Sequence, residues 1–296
     1  KIKNMKAQGM QDENSGCSIV LLVYDHPPEP QMSALASNLE SIPNFPPIKC
    51  LQLSQGQYLK LSKKFKVQPI ACVVYVHQPF KKKVDSSLID YCKEGGTLVM
   101  LHHAIAQGKC LSDVWLPFCG VQIHRSVMEE FPWFVDNSGE MKLLNLQPGN
   151  EITSTSIDWP EKCTLQSSDE FIYSERRPDK TLLETGVGRE MANPDVPELE
   201  GREFPALTIG PTELFINQIL EPLKERVFLL GYSYHTKRVG KTYMGANAGW
   251  MLPRGKGRLF YLMAGHETSD FIPPFCQLIW NCIKFSTSRK KGNILE

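Results

Sequence analysis

The chain has 296 residues, 42% of them hydrophobic and 22% charged, proportions that suit a folded protein with a large buried core. Its 33 lysines and arginines stand against 32 acidic residues, a net charge of +1 that provides no electrostatic footprint for nucleic acid or an anionic membrane. Small-molecule or protein partners are favoured by elimination, and homo-oligomerisation is left open. The apolar runs, such as that at 19–24, are all far shorter than a bilayer span, and no signal-like segment opens the chain. Nine cysteines lie at irregular spacing without a CxxC pair, as free core thiols do, so the expected compartment is reducing and cytoplasmic.

Residues 18–24 are a β-branched, continuously apolar run, the pattern of a strand buried on both faces of a parallel sheet. Met32, Leu35 and Leu39 recur at helical spacing, and Pro43, Pro46 and Pro47 end that helix before a second strand at 48–53. A third strand is expected at 70–76, a helix at 86–94 with Leu88, Ile89 and Cys92 on one face, a glycine cap at Gly95-Gly96, and a fourth strand at 97–101. The middle is less regular, with strand-like pieces at 122–124, 131–135 and 141–146. Residues 187–226, rich in Pro, Gly and Glu, read as an insertion without assignable secondary structure. Gly255-Lys256-Gly257 precedes a strand rather than a helix and lacks a P-loop hydroxyl, so it reads as a hairpin turn into a strand at 258–264. A helix at 274–285 follows. Strands alternating with helices at these intervals predict a single α/β domain, residues 1–296, with a doubly wound, mostly parallel sheet whose ligands lie beyond the carboxyl ends of its strands.

Four stretches in order carry a resemblance to a known family. Glu94-Gly95-Gly96-Thr97-Leu98-Val99-Met100-Leu101-His102-His103-Ala104 resembles the ThuA (trehalose utilisation) signature of a glycine-led strand ending in His-Ser-Ala. Asp169-Glu170-Phe171-Ile172-Tyr173 resembles its Asp-Glu-x-x-Tyr motif. The stretch 255–261 followed by Gly265-His266 resembles its closing element, and 275–285 its terminal helix. The chain departs from the family at Asn150-Glu151-Ile152-Thr153, where His-Pro-Ile-Thr is frequent. The resemblance implies a flavodoxin-like fold, similar to class I glutamine amidotransferases, and carbohydrate as the substrate class.

An amidotransferase carries a nucleophilic cysteine at the turn after a central strand, where backbone amides lower its pKa. Here that turn holds His102 and His103, and the nearest thiol, Cys110, lies downstream, so glutaminase chemistry is not expected. His102 and His266 each follow a strand, and strand ends in a parallel sheet converge on one crevice. His103 points away from its neighbour and ranks below it. Asp169 and Glu170 are candidates for the acid or base, or for orienting the histidines. Tyr173 and Trp250 are candidates for an aromatic platform under a sugar ring, although either residue type is more often core. His102, His266 and His124 are the candidate metal ligands, imidazole and carboxylate donors being suited to a divalent ion such as zinc. Of the histidines outside this set, His77 at the end of the third strand has the strongest claim. Two functions compete: a sugar-directed enzyme using histidine and carboxylate acid-base chemistry with or without a metal, and a non-catalytic binding or regulatory protein on the same fold.

Overall fold

Val20, Leu21, Leu22 and Val23 are fully buried because β1 (Ser18–Tyr24) has strands on both sides and helices over its faces. The structure is a computed structural model that describes residues 18–25, 29–44, 47–64, 68–106, 112–122, 130–131, 134–169, 171–176, 182–188, 197–216, 220–238 and 240–292. After β1 come α1 (Pro30–Ser41), β2 (Ile48–Ser54), α2 (Gln55–Ser62), β3 (Ala71–Tyr75), α3 (Val84–Lys93) and β4 (Thr97–Leu101). All five residues of β3 and of β4 are buried. Helix α2 was not expected, although its start is encoded: Ser54 Oγ accepts the Gln57 N–H at 3.3 Å while Gln57 Oε1 accepts the Ser54 N–H at 2.8 Å, a reciprocal capping box. Helix α3 ends as its glycines predict, the Gly95 and Gly96 N–H groups donating to the Cys92 and Tyr91 carbonyls with Gly95 at φ 110°.

Beyond β4 the chain changes character. It continues through α4 (Trp115–Phe118), β5 (Glu130–Phe131), β6 (Phe134–Asn145), α5 (Glu151–Ser154), β7 (Glu161–Thr164), β8 (Phe171–Arg176), β9 (Leu182–Gly188), β10 (Glu203–Ile216), β11 (Val227–His235), β12 (Thr242–Arg254), β13 (Gly257–Leu262) and α6 (Pro273–Gly292). A ten-stranded sheet runs β2-β1-β3-β4-β13-β12-β11-β6-β10-β7, and β5, β8 and β9 form a separate three-stranded sheet. Val20, Val74, Val99 and Phe260 lie in neighbouring strands of the large sheet, in the order typical of flavodoxin-like folds.

The expectation of a mostly parallel sheet needs correction. Strands β2, β1, β3, β4 and β13 pair in parallel, but every pair from β13 onward to β7 is antiparallel. The reason is connectivity: β12 turns back into β13 through two residues, Arg254 pairing with Gly257 and Gly255 at φ 60°, as the hairpin reading of this stretch required. The helices form two groups, α1 and α5 against α6, and α2 with α4 against α3, as expected for the two faces of a doubly wound half. Residues 187–226 contain β10, which lies inside the large sheet between β6 and β7. Among the described residues no helix is long and apolar enough to cross a membrane.

Candidate functional site

Three adjacent parallel strands deliver histidines to one end of the sheet. β3 leads to His77, β4 to His102 and His103, and β13 to His266, with Leu101 and Leu262 in register as the last paired residues of β4 and β13. The chain turns sharply at His102, which opens a short 3-10 turn (His102–Ile105) and adopts φ 51°. A left-handed conformation is uncommon for a residue with a β-carbon and persists only when its surroundings hold it. Here they do. His102 is fully buried and its Nδ1 lies 2.8 Å from the Met263 carbonyl oxygen. A carbonyl can only accept, so His102 carries its proton on Nδ1 and directs Nε2 into the crevice.

Around that nitrogen four side chains converge. Glu213 Oε2 lies 3.0 Å from His102 Nε2, 3.0 Å from His103 Nε2 and 3.2 Å from His266 Nδ1. His266 Nδ1 is 3.0 Å from His102 Nε2, and its Nε2 faces Glu267 Oε1 at 3.4 Å. One donor atom from each of His102, His103, Glu213 and His266 falls within 4.8 Å of the others.

Glu213 belongs to β10, and its arrival is not a flat-sheet property. Between β13 and β10 lie β12, β11 and β6, so four inter-strand steps of about 4.8 Å would hold them roughly 19 Å apart in a planar sheet. The 3.2 Å contact between Glu213 and His266, which follows β13, therefore requires the antiparallel half to curl back over the crevice. Two register shifts between β10 and β6 accompany this, between Ile209 and Pro211 and between Thr212 and Leu214, and Glu213 stands at the second. Such irregularities re-aim side chains beside functional sites.

The electrostatics follow from burial. Burial pushes the Glu213 carboxyl upward, but the imidazoles of His102 and His103 beside it outweigh that and hold the group well below the ordinary carboxylate range. Burial first, then the neighbouring His102, lowers His103 to about 2. The same causes lower His266. An ionised carboxylate and an imidazole kept neutral, as at His103, are the states in which such groups ligate a metal.

The supporting contacts are specific. Gln31 Nε2 donates to the His266 carbonyl at 2.7 Å, and Tyr75 Oη reaches the same oxygen at 3.4 Å. His77 lies edge-on to His103 with ring centroids 4.1 Å apart and parallel to His266 at 6.2 Å. Its position is set by the buried Asp25 at the end of β1, whose Oδ2 accepts the backbone N–H groups of His77 and Gln78 while Oδ1 accepts Gln55 Nε2 at 2.6 Å. Asp25 and His77 thus straddle the point between β1 and β3 where strand order reverses, the usual ligand position in such sheets.

The structure brings together His102, His103 and His266 of the residues singled out from sequence. Two other expectations are corrected. Asp169 is exposed and serves the backbone, its Oδ2 accepting the Thr242 N–H at 2.7 Å and its own N–H donating to the Thr242 carbonyl at 2.9 Å, so it is not the carboxylate of the cluster. Trp250 is fully buried in β12, with the Arg226 guanidinium 4.6 Å from its ring centroid and Tyr261 at 5.5 Å, apart from the cluster. Tyr173 lies in β8. Glu170, His124 and Cys110 lie outside the described residues. Glu213, Asp25 and Gln55 were missed. For Glu213 the only available signal was alternation in 203–216, interrupted by Pro205, Gly210 and Pro211.

No protein-family model matches the chain, and no curated protein matches it in sequence. Among solved structures it is similar to a ThuA-like protein from Bacteroides uniformis ATCC 8492, with a TM-score of 0.54 and 11% identity over 91% of each chain. A cytoplasmic protein of Salmonella typhimurium LT2 aligns over 91% of this chain and 98% of its own at a TM-score of 0.42 and 12% identity. A β-galactosidase from Bacillus circulans sp. alkalophilus aligns at a TM-score of 0.44 and 13% identity over 91% of this chain and 31% of its own. At these identities likeness speaks for fold alone, and what it shows is a broad α/β architecture shared with a ThuA-like protein.

Proposed function

We propose that the chain is an enzyme of carbohydrate utilisation that acts on a sugar or an oxidised sugar derivative, using histidine and carboxylate groups that hold a divalent, zinc-like metal. The observation that carries this reading is the convergence of His102, His103, His266 and Glu213 on one point. Ligands about 2.0–2.2 Å from a tetrahedral zinc stand roughly 3.3 Å from one another, close to the 3.0–3.2 Å separations of Glu213 from the three rings. The Met263 carbonyl fixes the His102 tautomer so that the Nε2 lone pair faces the other donors, the arrangement by which an outer hydrogen bond orients a ligating imidazole. Bound there, such an ion supplies Lewis acidity and a water of lowered pKa.

His102, His103, His266 and Glu213 bind and orient in this scheme. His77, at the crevice wall beside His103, is the group placed to hold or pass a proton at a substrate oxygen. Tyr75 and Gln31 fix the His266 loop through its carbonyl. Carbohydrate as the substrate class rests on the resemblance of the sequence motifs to the ThuA family. Metal analysis of purified protein, with cobalt and zinc titration of chelator-treated samples, tests the site. Stoichiometric binding lost in His102→Ala and His266→Ala is expected. Wild-type protein that binds neither metal would refute a metal centre, and turnover lost on His102→Ala with unchanged metal content would leave acid-base chemistry alone.

A further inference from the structure

Glu213 and His266 come from strands with β12, β11 and β6 between them, so something must hold the curled β10 against the loop after β13. Asp270, with no exposed surface, joins the two segments through a single oxygen. Its Oδ2 accepts the Thr212 hydroxyl at 2.6 Å, the Gly265 N–H at 2.9 Å and the Glu267 N–H at 3.2 Å. Thr212 immediately precedes Glu213, and Gly265 and Glu267 flank His266. The Glu267 bond is local, since Asp270 ends the short turn Thr268–Asp270 and such a turn caps itself within a few residues. The Thr212 bond spans 58 residues of sequence and has no part in that cap.

On the reading that the four converging side chains hold a metal, we propose that Asp270 is the positioning residue that sets the distance between two of its ligands, Glu213 and His266. Three features make the clamp stiff. All three donors meet on one buried oxygen, so Asp270 fixes them at once. Gly265 stands at φ 118°, a conformation open to glycine, and its N–H is spent on Asp270. Thr212 is held from its other side, its carbonyl accepting the Tyr234 hydroxyl at 3.1 Å while that hydroxyl accepts the Gly139 N–H at 2.7 Å. β10 is therefore gripped at Thr212 from two directions, one residue before the ligand.

The test compares Thr212→Val, which removes the hydroxyl at nearly equal volume, with Thr212→Ser, which restores it, and with Asp270→Asn. Cobalt(II) alone is the probe, read by titration and visible absorption, beside the melting temperature and imidazole NMR of metal-free protein. Thr212→Val is expected to weaken cobalt binding about 10–100-fold and to change the absorption bands, with Thr212→Ser close to wild type. A role confined to folding would lower the melting temperature of Thr212→Val and leave cobalt affinity and bands unchanged, which overturns the proposal. Wild-type protein that binds no cobalt would end the metal reading, and the clamp is then judged on metal-free protein. His102 and His266 ring resonances that move in Thr212→Val and return in Thr212→Ser support it, and unmoved resonances overturn it.

Discussion

Replacing Glu213 by glutamine removes one charge and almost no volume, so it isolates what the carboxylate contributes. Among the described residues its Oε2 is the only acidic atom within 3.2 Å of all three rings in the cluster, and its side chain is 13% exposed. Removing a carboxylate that accepts from a buried imidazole costs about 1–3 kcal/mol, and a figure in that range is expected for metal-free Glu213→Gln at pH 7. The pH dependence gives the sharper test. Glu213 titrates below its ordinary value of 4.5 in the folded chain, so its contribution is fully present above 4.5 and is lost as pH falls through the lower folded value. His103 is also lowered, from 6.5 to about 2; it stays neutral in the folded chain while the unfolded chain protonates, so its effect also destabilises as pH falls below 6.5, by about 1.4 kcal/mol per pH unit. Urea unfolding of wild type and Glu213→Gln from pH 7 to pH 4 separates the two. Both should lose stability below 6.5, and the gap between them should narrow only below about 4.5. A gap that is absent at pH 7, or unchanged at pH 4, would refute the assignment of Glu213 as an ionised carboxylate held by the histidines.

Trp250→Ala should cost about 3–5 kcal/mol of stability, as expected for a buried indole, and leave cobalt affinity unchanged; denaturant melts with cobalt titration check both, and lost binding without lost stability would return Trp250 to the site. Asp25→Asn should destabilise by about 1–3 kcal/mol, because an amide has one acceptor oxygen and sets its NH2 against one of the donors that now reach the two carboxylate oxygens. The same variant should broaden the His77 ring signals in an imidazole NMR spectrum.

What the sequence made legible follows the locality of the signal. β1, β3, β4 and α1 were readable because each is an uninterrupted apolar or 3.6-periodic run whose partners are supplied by a repetitive βαβ pattern. His102, His103 and His266 were readable for the same reason: each follows such a run, and parallel strand ends converge by topology. Glu213 was not, because its approach depends on the curl of the antiparallel half and on two register shifts, neither of which leaves a local pattern. Proline and glycine within 203–216 read as loop punctuation, whereas in β10 Gly210 and Pro211 sit at the first of these shifts. The choice of Asp169 failed for a related reason. An acidic residue before a strand is equally a backbone acceptor, and only the Thr242 contacts decide which it is.

The turn after β4 offers a physical account of how a buried imidazole is held at the end of a central strand. A side chain on a left-handed residue at a strand end points clear of the sheet into the crevice, a geometry useful to any reactive group. A lone histidine there would have an unsatisfied nitrogen in a buried setting, at the cost of desolvation. In this chain both nitrogens are engaged, Nδ1 donating to the Met263 carbonyl and Nε2 accepting from His266 Nδ1, with Glu213 Oε2 3.0 Å away. The strain at φ 51° is thus offset by contacts from β13 and β10 together. The same two strands that hold His102 in place also bring the other donors, so stability of the turn and assembly of the site are one event. Loss of either strand's contact should therefore be felt at both, and for that reason the metal-free and metal-bound stabilities of variants at Glu213 and Thr212 belong in the same experiment.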